Sequence, residues 1–308
     1  MKIVSLKLKD FRGIPEGDFR FGDFTCFVGP NGIGKTTILE AVALLCSSLD
    51  FKGESAGLVR DMQTVSGDGQ EAERMTLNGV ADARLKAFLE KNIRNSGEDG
   101  DCQGFRAEAV FEHEGSRYGV AITEKGFEAD LTKLPFWWPG ICYFAKFDVE
   151  MSKFQLRASL WPKFKKAWDS ITGFPAVDPE LYTVKALAKV EGDADYVIGF
   201  KIDKPAEGAR PAGKIHCRRG SAGEKKIIKA LSQIVNLEQS RQPHIVLCDN
   251  IEAHIYHSRH LRAIQEIKEL FIGKQIISAT HSLPITREYV PRSDVVDLER
   301  GYHNDDSR

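Results

Sequence analysis

Apolar and polar side chains alternate along the first eleven residues, with Ile3, Leu6 and Leu8 set against Ser5, Lys7 and Lys9. That is the period of a half-buried strand. A Pro/Gly turn is expected around Ile14–Gly17, then a short strand over Asp18–Phe21 and an apolar strand over Phe24–Val28. After a glycine-rich turn, Ile38, Leu39, Val42 and Leu45 recur at helical spacing. Ala41, Ala43 and Leu44 fill the other side, so this helix is expected to be buried almost all round.

The pattern is lost between residues 50 and 103, where Ser66–Gly69 and Asn95–Asp101 mark loops and Ala81–Ile93 is a short helix candidate. Phe105–Glu114 and Tyr118–Glu124 alternate on either side of Gly115-Ser116 and predict a hairpin. Leu134–Pro139 is an aromatic loop, which packing explains better than a ligand platform. Met151–Ser170 mixes Lys153, Arg157, Lys163, Lys165 and Lys166 with Phe154, Trp161, Phe164 and Trp168. An amphipathic helix with a solvated lysine face is the favoured reading, and a phosphate-backbone contact the alternative. Two more strands are expected at Tyr196–Lys201 and Lys214–Cys217. An apolar-periodic helix then runs through Ile227, Ile228, Leu231, Ile234 and Val235, and two apolar strands end near Asp249 and His281. No internal repeat or heptad array is present, which excludes long coiled-coil arms.

Composition narrows the function classes a little. The 308 residues suffice for one large or two modest domains, and 42% hydrophobic with 28% charged residues is ordinary for a soluble globular chain. A net charge of −1 removes the argument from bulk charge for nucleic acid, although a local basic face would be enough. The six cysteines form no C-x-x-C pair, which suits a reduced cytosolic compartment. No signal peptide or 18-residue apolar run is present, so a cytoplasmic protein without membrane insertion is expected.

The chemistry is concentrated in four places. Gly29-Pro30-Asn31-Gly32-Ile33-Gly34-Lys35-Thr36 fits G-x-x-x-x-G-K-[ST] between a strand and a helix. Its glycines allow successive N–H groups to turn toward an anion, and the helix adds the positive end of its dipole. Asn31, Gly32, Ile33, Gly34, Lys35, Thr36 and Thr37 are therefore candidates to bind the phosphates of ATP. Lys35 would reach the β- and γ-phosphates and Thr36 would ligate Mg²⁺. Ser221-Ala222-Gly223-Glu224 opens the later helix, with Ser221 as N-cap and Glu224 at the capping-box position. His244–Asp249 is an apolar strand ending in a carboxylate that could hold Mg²⁺, and Gln275–Ser282 is another that ends in Thr280-His281-Ser282.

Taken together, MKIVSLKLKDFRGI, GPNGIGKTT, SAGEKK, HIVLCDNIEAHIY and ISATHSLPI resemble, in family order, the ABC-class ATPases of the SMC/RecF type. The resemblance is strongest to short AAA-like members related to the overcoming-lysogenization-defect (OLD) group and to phage-defence ATPases. It implies an α/β, P-loop ABC-type fold with an N-terminal β subdomain. On this reading residues 1–49 and 214–308 form the ATPase core and residues 50–213 are a mixed α/β insertion. It also implies a head-to-tail homodimer that traps ATP and Mg²⁺ and gates DNA or an effector protein supplied in trans. Ser221, Gly223 and Glu224 of one copy would face the phosphate loop of the other. Asp249 would hold Mg²⁺ with Thr36, His281 would be the switch histidine, Arg12 would meet phosphate, and Gln155 is the candidate to complete the metal shell. The family places Asp-Glu after the strand, whereas this chain has Asn250, which cannot act as a base. Either Glu252 takes over the attacking water, or hydrolysis is slow and ATP mainly holds the dimer. Glu252 and His254 match the second acidic residue and the histidine of D-E-x-E-x-H. A transporter nucleotide-binding subunit is the alternative, weakened because its signature typically carries Gly-Gly-Gln. A P-loop kinase or GTPase leaves the Ser221 segment unexplained.

Overall fold

The computed structural model describes residues 1–48, 105–123, 126–129, 142–146, 154–184, 194–206, 211–240, 244–250, 252–253, 255–282 and 295–301. The helix expected at 81–93, the aromatic loop 134–139 and His254 lie outside the described residues.

The chain begins with a hairpin of β1 (Lys2–Phe11) and β2 (Ile14–Arg20), with Phe11 paired to Ile14. The connection is Arg12-Gly13, both at positive φ (47° and 89°), the geometry whose twist matches that of paired strands. From sequence, Ile14–Gly17 is expected as the turn; instead these residues belong to β2. Pro15 is tolerated there because β2 is the end strand of its sheet among the described residues, where a missing N–H costs no ladder bond. β3 (Phe24–Val28) leads into α1 (Lys35–Ser48). β4 (Arg106–His113) and β5 (Ser116–Thr123) form the expected second hairpin, extended by β6 (Gly126–Ala129). These strands give an antiparallel sheet of order β2-β1-β4-β5-β6.

The next elements are β7 (Cys142–Lys146), the two-residue β8 (Leu156–Arg157), α2 (Trp161–Thr172), β9 (Ala176–Val184), β10 (Ala194–Lys204) and β11 (Gly213–His216). After them come α3 (Ala222–Ser240), β12 (Ile245–Asp249), α4 (His260–Leu270), β13 (Gln275–Thr280) and β14 (Val295–Asp297). β10 carries β9 on one side and β8 and β11 on the other. The central sheet is parallel throughout, in the order β14-β3-β13-β12-β7. Within the stretch set apart from sequence as an insertion, β4 pairs with β1 and β7 pairs with β12, so both are hydrogen-bonded into sheets that the flanking segments build.

Both faces of the parallel sheet are covered, which is why β12 and β13 are buried along their whole length. One face presents Phe27, Ile245, Leu247, Ile277 and Ala279 to α1, which lies in the same core as Leu6, Leu8, Ala107 and Phe111 of the antiparallel sheet. All nine residues of α1 from Ile38 to Cys46 are buried, as a helix caught between two sheets requires. The other face presents Cys26, Val246, Cys248 and Ile276 to α2, α3 and α4. There Trp161, Phe164 and Trp168 pack against Phe200 with ring centroids 5.4–5.8 Å apart. The lysines of α2 include Lys165, paired with Asp169, and Lys166, 2.9 Å from Glu269. The packing reading of this basic, aromatic stretch therefore describes the helix. Gln275 joins two sheets: its amide accepts from Ile3 N and donates to Ile3 O and Gly22 O, all at 2.8 Å. It takes up backbone groups of β1 where the β1–β4 register shifts between Ile3 and Ser5.

Candidate functional site

The site lies at the carboxyl ends of β3, β12 and β13, where an open parallel sheet offers a crevice. The turn after β3 bends through Gly29, Gly32 and Gly34 at φ 143°, 80° and 101°, conformations that side chains resist. Ile38 N then donates to Gly34 O at 3.0 Å and α1 begins. Lys35 is buried, and its ammonium donates to the carbonyls of Gly29 (2.8 Å) and Pro30 (2.7 Å). It also lies 3.3 Å from His281 Nδ1. Desolvation lowers the Lys35 pKa, opposed by the negative charges of Asp249 and Glu252.

The Thr36 hydroxyl reaches both oxygens of Asp249, at 3.1 and 3.0 Å. A hydroxyl and a buried carboxylate are the hard oxygen donors that Mg²⁺ takes, with phosphates and water completing its shell. No cluster of three or more His, Cys, Asp or Glu suited to a metal occurs among the described residues. Thr36 and Asp249 fit an ion whose remaining ligands are phosphate and water oxygens.

Beyond Asp249 the chain reverses quickly. Asn250 N continues the ladder to Ala279 O at 3.0 Å, but Asn250 sits at φ 53°. That left-handed conformation suits asparagine better than glutamate, which gives a physical reason for the residue found there. Ala253 N donates to Asn250 O (2.8 Å) and Ile255 N to Glu252 O (3.0 Å), folding the loop back. Glu252 Oε1 accepts from the backbone N–H of His281 at 2.5 Å. Its Oε2 and the Asn250 Oδ1 are buried acceptors without a hydrogen-bond partner among the described residues. Orphaned acceptors of this kind are rare in folded proteins and mark places where a donor from water or ligand is expected.

The structure therefore brings Lys35, Thr36, Asp249, Glu252 and His281 into one constellation. Asn31 and Gly32 are exposed on the loop, while Ile33, Gly34, Thr36 and Thr37 are half-buried. Ser221 caps α3: Glu224 N donates to its hydroxyl at 3.3 Å, and Ser221 N donates to Glu224 Oε2 at 2.7 Å. Glu224 is buried and its Oε1 lies 2.6 Å from Lys204 Nζ, so this carboxylate holds the helix start to β10. Ser221 is exposed and Gly223 half-exposed. Arg12 pairs with Glu40 of α1, which ties the tip of the β1–β2 hairpin to the phosphate-loop helix. Gln155 is exposed immediately before β8, within the smaller sheet. Glu40, Lys204 and His260 enter the site's surroundings without a motif to announce them. Their partners Arg12, Glu224 and Ser282 lie 28, 20 and 22 residues away, and no spacing rule relates them.

A family model described as AAA ATPase domain matches residues 1–111. The DNA replication and repair protein RecF of Magnetococcus marinus is 41% identical over 61 residues, 20% of this chain and 16% of that protein. RecF of Erwinia tasmaniensis is 34% identical over 105 residues, 32% of this chain and 28% of that protein. These matches span less than a third of the relatives' length. An SMC head solved bound to the C-terminal winged-helix domain of ScpA superposes with TM-score 0.53 at 14% identity, covering 91% of this chain and 90% of that one. That likeness is one of fold.

Proposed function

We propose that this chain, an ABC-class ATPase of the SMC/RecF type, binds Mg²⁺·ATP between two copies of itself and hydrolyses it with Glu252. Fold and phosphate-loop likeness carry the coarse reading of a DNA-related ATPase. The composite site is supported by one observation. α1, which follows the phosphate loop, packs on one face of the parallel sheet, and α3, which follows Ser221, packs on the other. The exposed start of α3 is thus free to meet the nucleotide of a second copy, with its N–H groups and dipole directed at the γ-phosphate.

Within one copy, Lys35 would exchange its two carbonyl partners for phosphate oxygens. Thr36 and Asp249 would hold the Mg²⁺, which when bound offsets charge developing on the transferred phosphoryl group. Glu252 stands beside His281 with one oxygen unpartnered, suited to take a proton from the attacking water. His281 Nδ1, next to Lys35, would contact the γ-phosphate. Arg12 and Glu224 take the roles the family resemblance assigns when ATP draws them from Glu40 and Lys204, and Gln155 would complete the metal shell. Among the described residues no helix is long and apolar enough to cross a membrane, and a cytoplasmic location follows the RecF and SMC likeness. That likeness also favours DNA as the gated partner over a transporter. An effector protein, as in phage defence, remains the second reading.

The test is size-exclusion chromatography with light scattering of Glu252→Gln with ATP and Mg²⁺. A dimer that reverts to monomer when Lys35→Ala is added supports the reading; a monomer under both conditions refutes the sandwich. Turnover with and without double-stranded DNA at two salt concentrations then separates the partners, since a phosphate-backbone contact stimulates and fades with salt.

A further inference from the structure

Beyond Asp249 in β12 and Thr280 in β13, the sheet no longer dictates where Glu252 and the segment 281–282 lie. Yet hydrolysis as proposed above needs Glu252 on the first and His281 on the second to keep one mutual geometry. The bond from His281 N to Glu252 Oε1 is the direct tie, and it is exposed. A second, buried tie runs through His260, the first residue of α4. His260 Nδ1 lies 2.8 Å from Ser282 Oγ, and Nε2 lies 3.0 Å from the Ile255 carbonyl oxygen. A carbonyl can only accept, so Nε2 is the ring donor there, which in the neutral ring leaves Nδ1 to accept from the Ser282 hydroxyl.

The two ties close a ring. Ile255 N donates to Glu252 O, Glu252 Oε1 accepts from His281 N, and Ser282 follows His281 in the chain, its own N–H fixed on Thr280 Oγ1 at 3.0 Å. His260 is also firmly mounted. Ala263, Ile264 and Ile267 of the same helix are buried in the core, and the preceding Arg259 donates to Ser170 O at 3.1 Å at the end of α2. Gly173, at φ 77°, makes room for that guanidinium, since a Cβ there would stand 2.3 Å from it.

We propose that His260 is a positioning residue that clamps the Glu252 loop to the His281 segment, acting on hydrolysis without touching nucleotide. The inference rests on the reading of Glu252 and His281 given above. Removing the clamp leaves Lys35, Thr36 and Asp249 in place, so nucleotide affinity should persist while the water-activating geometry loosens. Misplacement by an ångström costs up to about a hundredfold in rate.

The test compares His260→Leu, His260→Gln and Ser282→Ala by steady-state turnover, binding of a fluorescent ATP analogue, and amide hydrogen exchange of the nucleotide-free protein. We expect His260→Leu to lower kcat by about tenfold to a hundredfold with analogue affinity within twofold. His260→Gln, which keeps a donor toward Ile255, should recover part of the rate. Exchange should rise at 280–282 and 250–256 and not elsewhere. Ser282→Ala, with little risk to folding, should lower kcat in the same direction and add little to His260→Leu. Unchanged kcat in both single variants overturns the clamp. So does a joint loss of affinity, rate and protection throughout the chain, which would mean a structural role. A wild-type protein without ATP turnover defeats the proposed function instead. The exchange measurement then still decides the clamp: no rise at 280–282 overturns it.

Discussion

Glu252→Gln separates the two readings of the unusual Asp249-Asn250 pair most cleanly. Glutamine keeps an oxygen where Glu252 Oε1 accepts from His281 N, so the turn and the switch segment should hold their places. What changes is the second atom, a buried oxygen without a partner among the described residues, which becomes an amide unable to take a proton. Loss of a general base lowers rate by about 10²–10⁴-fold, or roughly 3–5 kcal/mol of transition-state stabilisation. Nucleotide binding should not weaken. Glu252 contributes a negative charge near Lys35, and removing it takes away repulsion toward the γ-phosphate as well as attraction toward the lysine. The expected outcome in single-turnover phosphate release is kcat down at least a hundredfold with Kd for ATP within a few-fold. Turnover within threefold of wild type would refute the assignment of Glu252 as base and leave ATP chiefly as a dimer clamp.

Asn250→Glu, which restores the family's acidic pair, should destabilise the chain by about 1 kcal/mol in urea denaturation because position 250 is left-handed. Equal stability together with faster turnover would return the base to that position. Gln275→Leu should cost about 3 kcal/mol, since it orphans three backbone groups at a site 1% exposed. A loss under 1 kcal/mol would mean the sheets are held together by apolar contact alone. His244 is held at about 4, below its usual 6.5, by desolvation and then by the positive charges of the Met1 amino group, Lys274 and His113. Its folded pKa being depressed, the unfolded chain binds the extra proton, so stability should fall as pH drops from 6.5 toward 4. His244→Gln should flatten that fall in urea midpoints at pH 7 and 5; identical slopes would refute the attribution.

Much of this molecule is legible in short stretches of chain. The phosphate loop announces itself because its chemistry is local: glycines that turn N–H groups inward, a lysine and a threonine opening the next helix. The Ser221–Glu224 capping box is legible for the same reason, as it closes within four residues. The strands before Asp249 and His281 show themselves because burial on both faces keeps each run free of charged residues until it ends. The hairpin over 106–123 follows from a period of two around Gly115.

Tertiary structure decided what local preference leaves open. Ile14–Gly17 has the composition of a turn and became strand because it lies at a sheet edge, where Pro15 forfeits nothing. Cys142–Lys146 carries no alternation and became the edge of the parallel sheet beside β12. Helix α4 has the amphipathic pattern, with His260, Ala263, Ile264 and Ile267 at helical spacing opposite Arg262, Glu266 and Glu269, but where its buried face docks is set by α2 and the sheet. The site followed the same division. Which residues carry phosphate and metal chemistry is written in the motifs. That Glu252 turns back to His281 and that His260 bridges Ile255 and Ser282 depend on β12 and β13 ending side by side, and that Arg12 meets Glu40 depends on α1 packing between the two sheets. Periodicity reports which face of an element is buried, whereas contact between residues far apart in the chain exists only once those faces have packed.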